Sequence, residues 1–420
     1  MRRNIHYARN VSSNMMSLEN PRPRLPALTS LRFFAALHVV FFHFLAFKVL
    51  TNQGWLGQIS SIGYVGVSFF FVLSGFILVY TYAGRDTSAR AFWRARFARI
   101  YPAFAFSLLL TGPFFFFAVL MLKIPFFEWS SAHLKIVVFL VPLLLQAWVP
   151  LAALAWNSVA WSLSDEAFFY LLFPFLKKRF LQIGIPGLAL VALVCWGVSL
   201  AMSWTYVLRN PDHLQIMDAD VFGAFWMNAV KFHPLARLPE FLLGMACGAI
   251  FLKSRKDENS ENARAASDTK LALPLVLAGL LIAATVAHYS GQIPYPVLHT
   301  SLLAPAFAAI IYGFALRPGW AAPLAWKPLV FLGDASYSLY LLHSFFLGPF
   351  FFTQTGEPRH RGLGWYFLYF VIALGISGLV YRFIEEPSRR KLRGKQLAPA
   401  LPAMDQPPAT NTVSPAPVAS

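Results

Sequence analysis

Apolar residues in this chain fall in long unbroken runs, and short polar segments, mostly basic, separate them. About 20 consecutive apolar residues let an α-helix cross the roughly 30 Å hydrocarbon core of a bilayer. Runs of about that length lie near 31–49, 61–82, 100–122, 158–176, 181–204, 235–252, 271–289, 297–316, 329–352 and 364–384. The pattern therefore predicts an all-α, polytopic membrane helix bundle of about ten transmembrane helices. An eleventh run, LKIVVFLVPLLLQAW at 134–148, is shorter and contains Pro142.

Charge decides how that eleventh run is read. With ten crossings and both termini cytoplasmic, most of the 35 Lys and Arg residues fall on the cytoplasmic side, including LKKR at 176–179 and RRKLRGK at 389–395. A full span at 134–148 would put both clusters outside, against the positive-inside rule. The segment is therefore expected to be re-entrant or interfacial. That is tolerated only where protein or a water-filled cavity receives its backbone. The expected organisation is a cytoplasmic N-terminal extension over 1–26 and a membrane domain over 27–395 with a polar linker at 253–270. A Pro/Ala-rich tail over 396–420 completes it. No signal-peptide core precedes the first span, so that span is expected to target the chain, and no soluble domain is expected at either end.

Composition agrees with a membrane bundle. Hydrophobic residues make up 57% of the chain, with 42 Phe and 12 Trp, and only 13% is charged. The mean hydropathy is +0.56. A net charge of +17 would suit nucleic acid. Here, however, the basic residues sit in clusters between spans, as topology signals do, and no nucleic-acid partner is expected. Cys195 and Cys247 form neither a CxxC motif nor a Cys/His group, so no metal site or disulfide framework is expected.

An ionisable group inside a span costs at least about 2.5 kcal/mol at the centre, so each is a candidate for function. Arg32 and His43 lie 11 residues apart, which is about 1100° of helix and about 16 Å of rise. They therefore share one face, whereas His38 is turned away from it. Gly63, Gly66, Ser68, Ser74 and Gly75 give the second run a small-residue surface for close helix approach. Arg96 and Arg99, one turn apart, suit phosphate oxygens. In WNSVAWSLSDEAFFYLLFPFL, residues 156–176, Trp161 and Tyr170 have ordinary readings as interfacial aromatics and Ser162 as a cap. Asp165 and Glu166 entering an apolar helix are harder to dismiss. One of them could orient an imidazole on a neighbouring helix for general-base catalysis.

Seven fragments in order resemble the membrane acyltransferase 3 family: Arg32 with His43; GYVGVSFFFVLSGF; ARFARIYP; WSLSDEAFFYLLFP; RLPEFLLGMACG; GDASYSLYLLHSFF; and YRFIEEPSRR. The resemblance covers about 27–395. It implies transfer of an acyl group, commonly acetyl, from cytoplasmic acyl-coenzyme A to a hydroxyl of a glycan or other acceptor. It further implies His43 as the catalytic histidine, Arg32 as its partner, and Arg96 and Arg99 as the coenzyme pair. Glu166 falls on the carboxylate of the WSLS segment. Ser68, Trp161, Ser164, Asp165, Tyr170, Arg237 and Glu240 take substrate or supporting places, and Tyr337, His343 and Glu385 mainly structural ones. At Ser68 many relatives carry an acid, so the partner of His43 is open among Glu166, Asp165 and water. The SGNH-type hydrolase domain fused to some relatives does not occur in this sequence.

The expected mechanism places Arg32 and His43 along one tunnel, through which a thioester reaches the imidazole from the cytoplasm, where His43 either takes the proton of the acceptor hydroxyl or briefly carries the acyl group itself, with no resident cofactor or metal. The partners implied are the bilayer, acyl-CoA and a hydroxyl acceptor, in the bacterial inner membrane. The competing reading is a transporter or flippase in which Arg32, His43 and Glu166 relay protons.

Overall fold

A computed structural model describes residues 22–46, 49, 54–122, 125–217, 224–255, 261–351 and 361–393. The Pro/Ala-rich tail and most of the N-terminal extension lie outside these residues. Among them, ten helices run 12 residues or longer: α1 Pro26–Ala46, α2 Gly66–Tyr82, α3 Ala89–Phe117, α4 Trp161–Gln182 and α5 Ile185–Arg209, then α6 Pro234–Ser254, α7 Glu261–His288, α8 Ala304–Ala315, α9 Lys327–Phe351 and α10 Leu363–Val380. Each coincides with one expected crossing.

Among the described residues, seven spans are long and apolar enough to cross a membrane, or eight if Ser301–Ala315 and Gly319–Ala325, bent by 96°, count as one. The other two expected crossings are α4 and α9, of 22 and 25 residues. Their length suffices for about 30 Å. What sets them apart is the polar residues they bring to the interior: Asp165 and Glu166 on α4, Asp334 and His343 on α9. Large apolar side chains on α3, α5, α7 and α10 point outward, among them Leu109, Leu190, Leu281 and Phe367. A continuous exposed apolar belt of this kind is stable in lipid and not in water. The chain is an integral membrane protein.

Residues 134–148 form no span. Leu134–Leu140 is a seven-residue helix, followed by a turn and a 3₁₀ segment at Gln146–Trp148. Protein receives this segment: the Ser164 hydroxyl donates to the Leu144 carbonyl at 2.6 Å, and the Gln146 amide donates to the Ala160 carbonyl at 2.9 Å. Within the polar stretch 253–270, α7 begins at Glu261, and Arg255 pairs with Asp268 at 2.9 Å.

Small residues fix the central crossings. A Cβ on Gly75 would collide with the Phe241 carbonyl, and one on Gly244 with the Val72 carbonyl, so α2 and α6 touch backbone to backbone. Gly333 gives α9 the same approach to Thr29 on α1. That contact carries the two histidines described next toward each other. Ser88 caps α3 by accepting from the Ala91 amide at 3.3 Å, which starts the helix bearing Arg96 and Arg99. Beyond Val380, α10 loosens into a π-helical turn, Tyr381–Glu385, that brings Glu385 under the bundle.

Candidate active site

A cavity of about 830 Å³ opens among α1, α2, α3, α4 and α9. Arg22, Arg24, Arg85, Lys327, Arg382 and Arg389 line it at the basic end of the bundle, and Arg32, Arg96, Arg99, Glu166 and Tyr170 line its interior. The Arg96 guanidinium lies over the Tyr82, Phe92 and Tyr170 rings at 5.5, 5.6 and 5.7 Å and donates to the Tyr82 hydroxyl at 3.0 Å. These rings hold the charge in place while leaving it on the cavity wall. Arg32 stands within electrostatic reach of Arg99, Asp334, Glu385 and Glu166. Glu166 accepts from the Ser74 hydroxyl at 3.3 Å and from the Tyr170 hydroxyl.

His43 lies beyond this cavity. Its Nδ1 is 2.9 Å from the Val39 carbonyl and 3.1 Å from His343 Nε2, and the two rings meet at 4.8 Å. His343 Nδ1 is 2.7 Å from the Tyr340 carbonyl. A carbonyl only accepts, so in neutral rings both Nδ1 atoms carry hydrogen. His343 Nε2 then accepts from His43 Nδ1, which leaves the lone pair of His43 on Nε2, the nitrogen a general base would use. The tautomer follows from the helix backbone and a second histidine.

A second polar cluster sits against α2, α4 and α6. Arg237 and Glu240, both 0% exposed, pair at 3.0 Å. Arg237 also donates to the His299 carbonyl at 2.8 Å and to the Ser68 hydroxyl at 3.0 Å, and stacks over Phe71 and Trp161 at 5.4 and 5.7 Å. Asp165, also 0% exposed, faces this pair with neither carboxylate oxygen hydrogen-bonded.

Residues 25–382 match the family described as an acyltransferase domain, acyltransferase 3. The chain belongs to the acyltransferase 3 family. It is 28% identical over 404 residues to the acyltransferase MdmB of Streptomyces mycarofaciens, covering 92% of this chain and 97% of that protein. It is 25% identical over 395 residues to the O-acetyltransferase OatA of Staphylococcus aureus, covering 87% of this chain and 57% of OatA. A putative O-acetyltransferase of the same species, SACOL0978, is 26% identical over 400 residues, covering 87% of this chain and 58% of that protein. The chain thus spans somewhat over half the length of the last two. No solved structure matches it.

This acyltransferase gathers its expected site residues in three places. Arg32, Arg96, Arg99, Glu166 and Tyr170 share the cavity. Ser68, Trp161, Asp165, Arg237 and Glu240 share the second cluster, and Ser164 anchors the 134–148 segment. His43 joins neither group. The expected common tunnel does not appear as one cavity: Arg32 lines the cavity and His43 does not. Glu166, offered as an orienting carboxylate, bonds Ser74 and Tyr170 instead of His43, and Asp165 faces Arg237 on the other side of α4. His343 was expected to be structural, yet it touches His43 directly. A histidine within an apolar run was the available signal.

Proposed function

We propose that this membrane acyltransferase takes an acyl group, acetyl in the simplest case, from cytoplasmic acyl-coenzyme A and passes it to a hydroxyl of a glycan or similar acceptor. The observation that carries the reading is a cavity walled by arginines at the basic end, with His43, outside its lining, held through Nδ1 by the Val39 carbonyl and His343. By the positive-inside rule that end faces the cytoplasm of a bacterial inner membrane, where the donor is made. The names of OatA and SACOL0978 support acetyl as the group and oxygen as the acceptor atom.

Arg96 and Arg99 bind the donor phosphates, with Arg22, Arg85 and Arg389 adding positive potential at the mouth. The pantetheine arm lies along the cavity past Arg32. Glu166 and Asp334 hold Arg32 and Arg99 in position by charge. At the far end His43 Nε2 takes the proton of the acceptor hydroxyl as its oxygen attacks the acyl carbonyl. The carbon–sulfur bond breaks, the ester carbon–oxygen bond forms, and the proton leaves with the coenzyme thiol. Each atom is accounted for without a resident cofactor.

The test is mass spectrometry of envelope glycans from cells with the wild-type chain, the His43→Ala variant or neither, together with labelled acetyl-CoA and purified protein in nanodiscs. The reading requires a +42 Da ester dependent on His43. A product profile identical in all three strains, with no label leaving the coenzyme, would overturn it.

A further inference from the structure

We propose that the Tyr340 ring, backed by Phe70, is the partition between the donor cavity and the histidine pair, and that it limits the length of the acyl group this protein accepts. The inference rests on the function proposed above, since it takes the cavity as the donor compartment.

Both rings line the cavity, and they lie 6.2 Å apart at 67°. Behind them the Tyr340 ring is 6.1 Å from the His343 ring, which is 4.8 Å from His43, and neither histidine lines the cavity. Tyr340 is therefore a cavity-lining ring that also neighbours the histidine pair. The ring is also held. Its hydroxyl is 2.8 Å from the Ser162 hydroxyl and 2.8 Å from the Val159 carbonyl, and Ser162 itself donates to Val159 at 3.2 Å. Tyr340 is only 6% exposed, so these bonds sit in a packed setting where breaking them leaves buried polar groups unpaired.

The ring must turn aside for a thioester carbonyl to reach His43. Space gained that way is the volume of one side chain, bounded by Phe70 on one side and by the irregular 146–160 segment that anchors the hydroxyl on the other. A two-carbon acyl group asks little of this opening. Each further methylene must find room against the same wall, and one methylene in a closed apolar pocket discriminates by about tenfold or more.

The test measures binding, so it needs no acceptor. Protein in nanodiscs is titrated with coenzyme A and with its S-ethyl, S-butyl, S-hexyl and S-octyl thioethers, in wild type and in Tyr340→Ala. In wild type the affinity relative to coenzyme A falls by about tenfold or more from S-ethyl to S-hexyl. In Tyr340→Ala that fall shrinks to less than about threefold, and Tyr340→Phe, which keeps the ring, retains the wild-type series. A thioether series that is the same in wild type and Tyr340→Ala, with coenzyme A itself bound, overturns the inference and leaves the proposed function standing. Failure of coenzyme A to bind wild type overturns both. If Tyr340→Ala does not fold, Phe70→Ala carries the same measurement from the other side of the wall.

Discussion

His343 Nε2 lies 3.1 Å from His43 Nδ1, joining residues 300 positions apart through the close crossing of α1 and α9. Two histidines in contact inside a bundle carry no shared charge to stabilise them. Their value is directional: His343, bonded through Nδ1 to the Tyr340 carbonyl, presents an acceptor to His43 and turns the lone pair of His43 to Nε2.

Loss of that lone pair should remove the chemistry and little else. His43→Ala is expected to lower transfer by about 10² to 10⁴-fold, the range for losing a positioned general base. Coenzyme A should bind the variant as it binds wild type, by calorimetry in nanodiscs. A variant that still transfers at the wild-type rate removes His43 from the mechanism.

Removing His343 tests its positioning role. His343→Ala should reduce kcat by about 10²-fold while KM for the donor stays unchanged, because His43 loses the side chain that shares its Nδ1 hydrogen with the Val39 carbonyl and holds the ring's orientation. His343→Gln keeps an acceptor oxygen near that place and should recover part of the rate. Equal losses in Ala and Gln, with a lower thermal midpoint in both, would mark the residue as packing alone.

On the donor side, Arg96→Ala and Arg99→Ala should each weaken coenzyme A binding by about 2 kcal/mol, roughly thirtyfold in Kd, if each loses a charged hydrogen bond. Raising the salt concentration should weaken wild-type binding in the same direction. Dephospho-coenzyme A that binds as tightly as coenzyme A would take the basic rim out of the account.

Glu166 separates two readings of a buried carboxylate. Its bonds to Ser74 and Tyr170, and its closeness to Arg32 and Arg99, place it with the donor arginines. Glu166→Gln should therefore shift the donor KM, while the single-turnover rate with donor bound changes by less than about tenfold. Ser68→Ala, on the far side of α4, should alter neither. A collapse of the single-turnover rate in Glu166→Gln would return it to the catalytic step.

Much of this arrangement can be read in the sequence because lipid penalises it. Arg32, Arg96, Arg99 and Glu166 stand out as ionisable residues in apolar runs, and they do share a cavity. Charge counting likewise kept 134–148 from being a span, and Leu134–Leu140 is too short to be one. What periodicity cannot supply is which helix faces which. Helical spacing put Arg32 and His43 on one side of α1, but what each meets is set by how α2 and α9 close on α1, which depends on close contacts at Gly63 just before α2, at Gly66 and at Gly333. The same limit hid the partition of Asp165 from Glu166. Neighbours in sequence point about 100° apart on a helix, and here each serves a different cluster.

Arg237 offers the last test, because its contacts are entirely internal. It meets Glu240, Ser68 and the His299 carbonyl, with Asp165 nearby and unpaired. Arg237→Met keeps most of the volume but leaves two carboxyl groups facing each other without a cation. Removing one partner of a buried ion pair costs about 3–5 kcal/mol, so the thermal midpoint of the purified protein should fall sharply. The double variant Arg237→Met with Glu240→Gln removes one of the two stranded carboxyl groups and should recover part of that loss. Donor binding should remain in both, because the cluster stands apart from the cavity arginines. An unchanged midpoint with transfer abolished would instead make Arg237 a residue of the reaction, and the second cluster would then be where the acceptor is held.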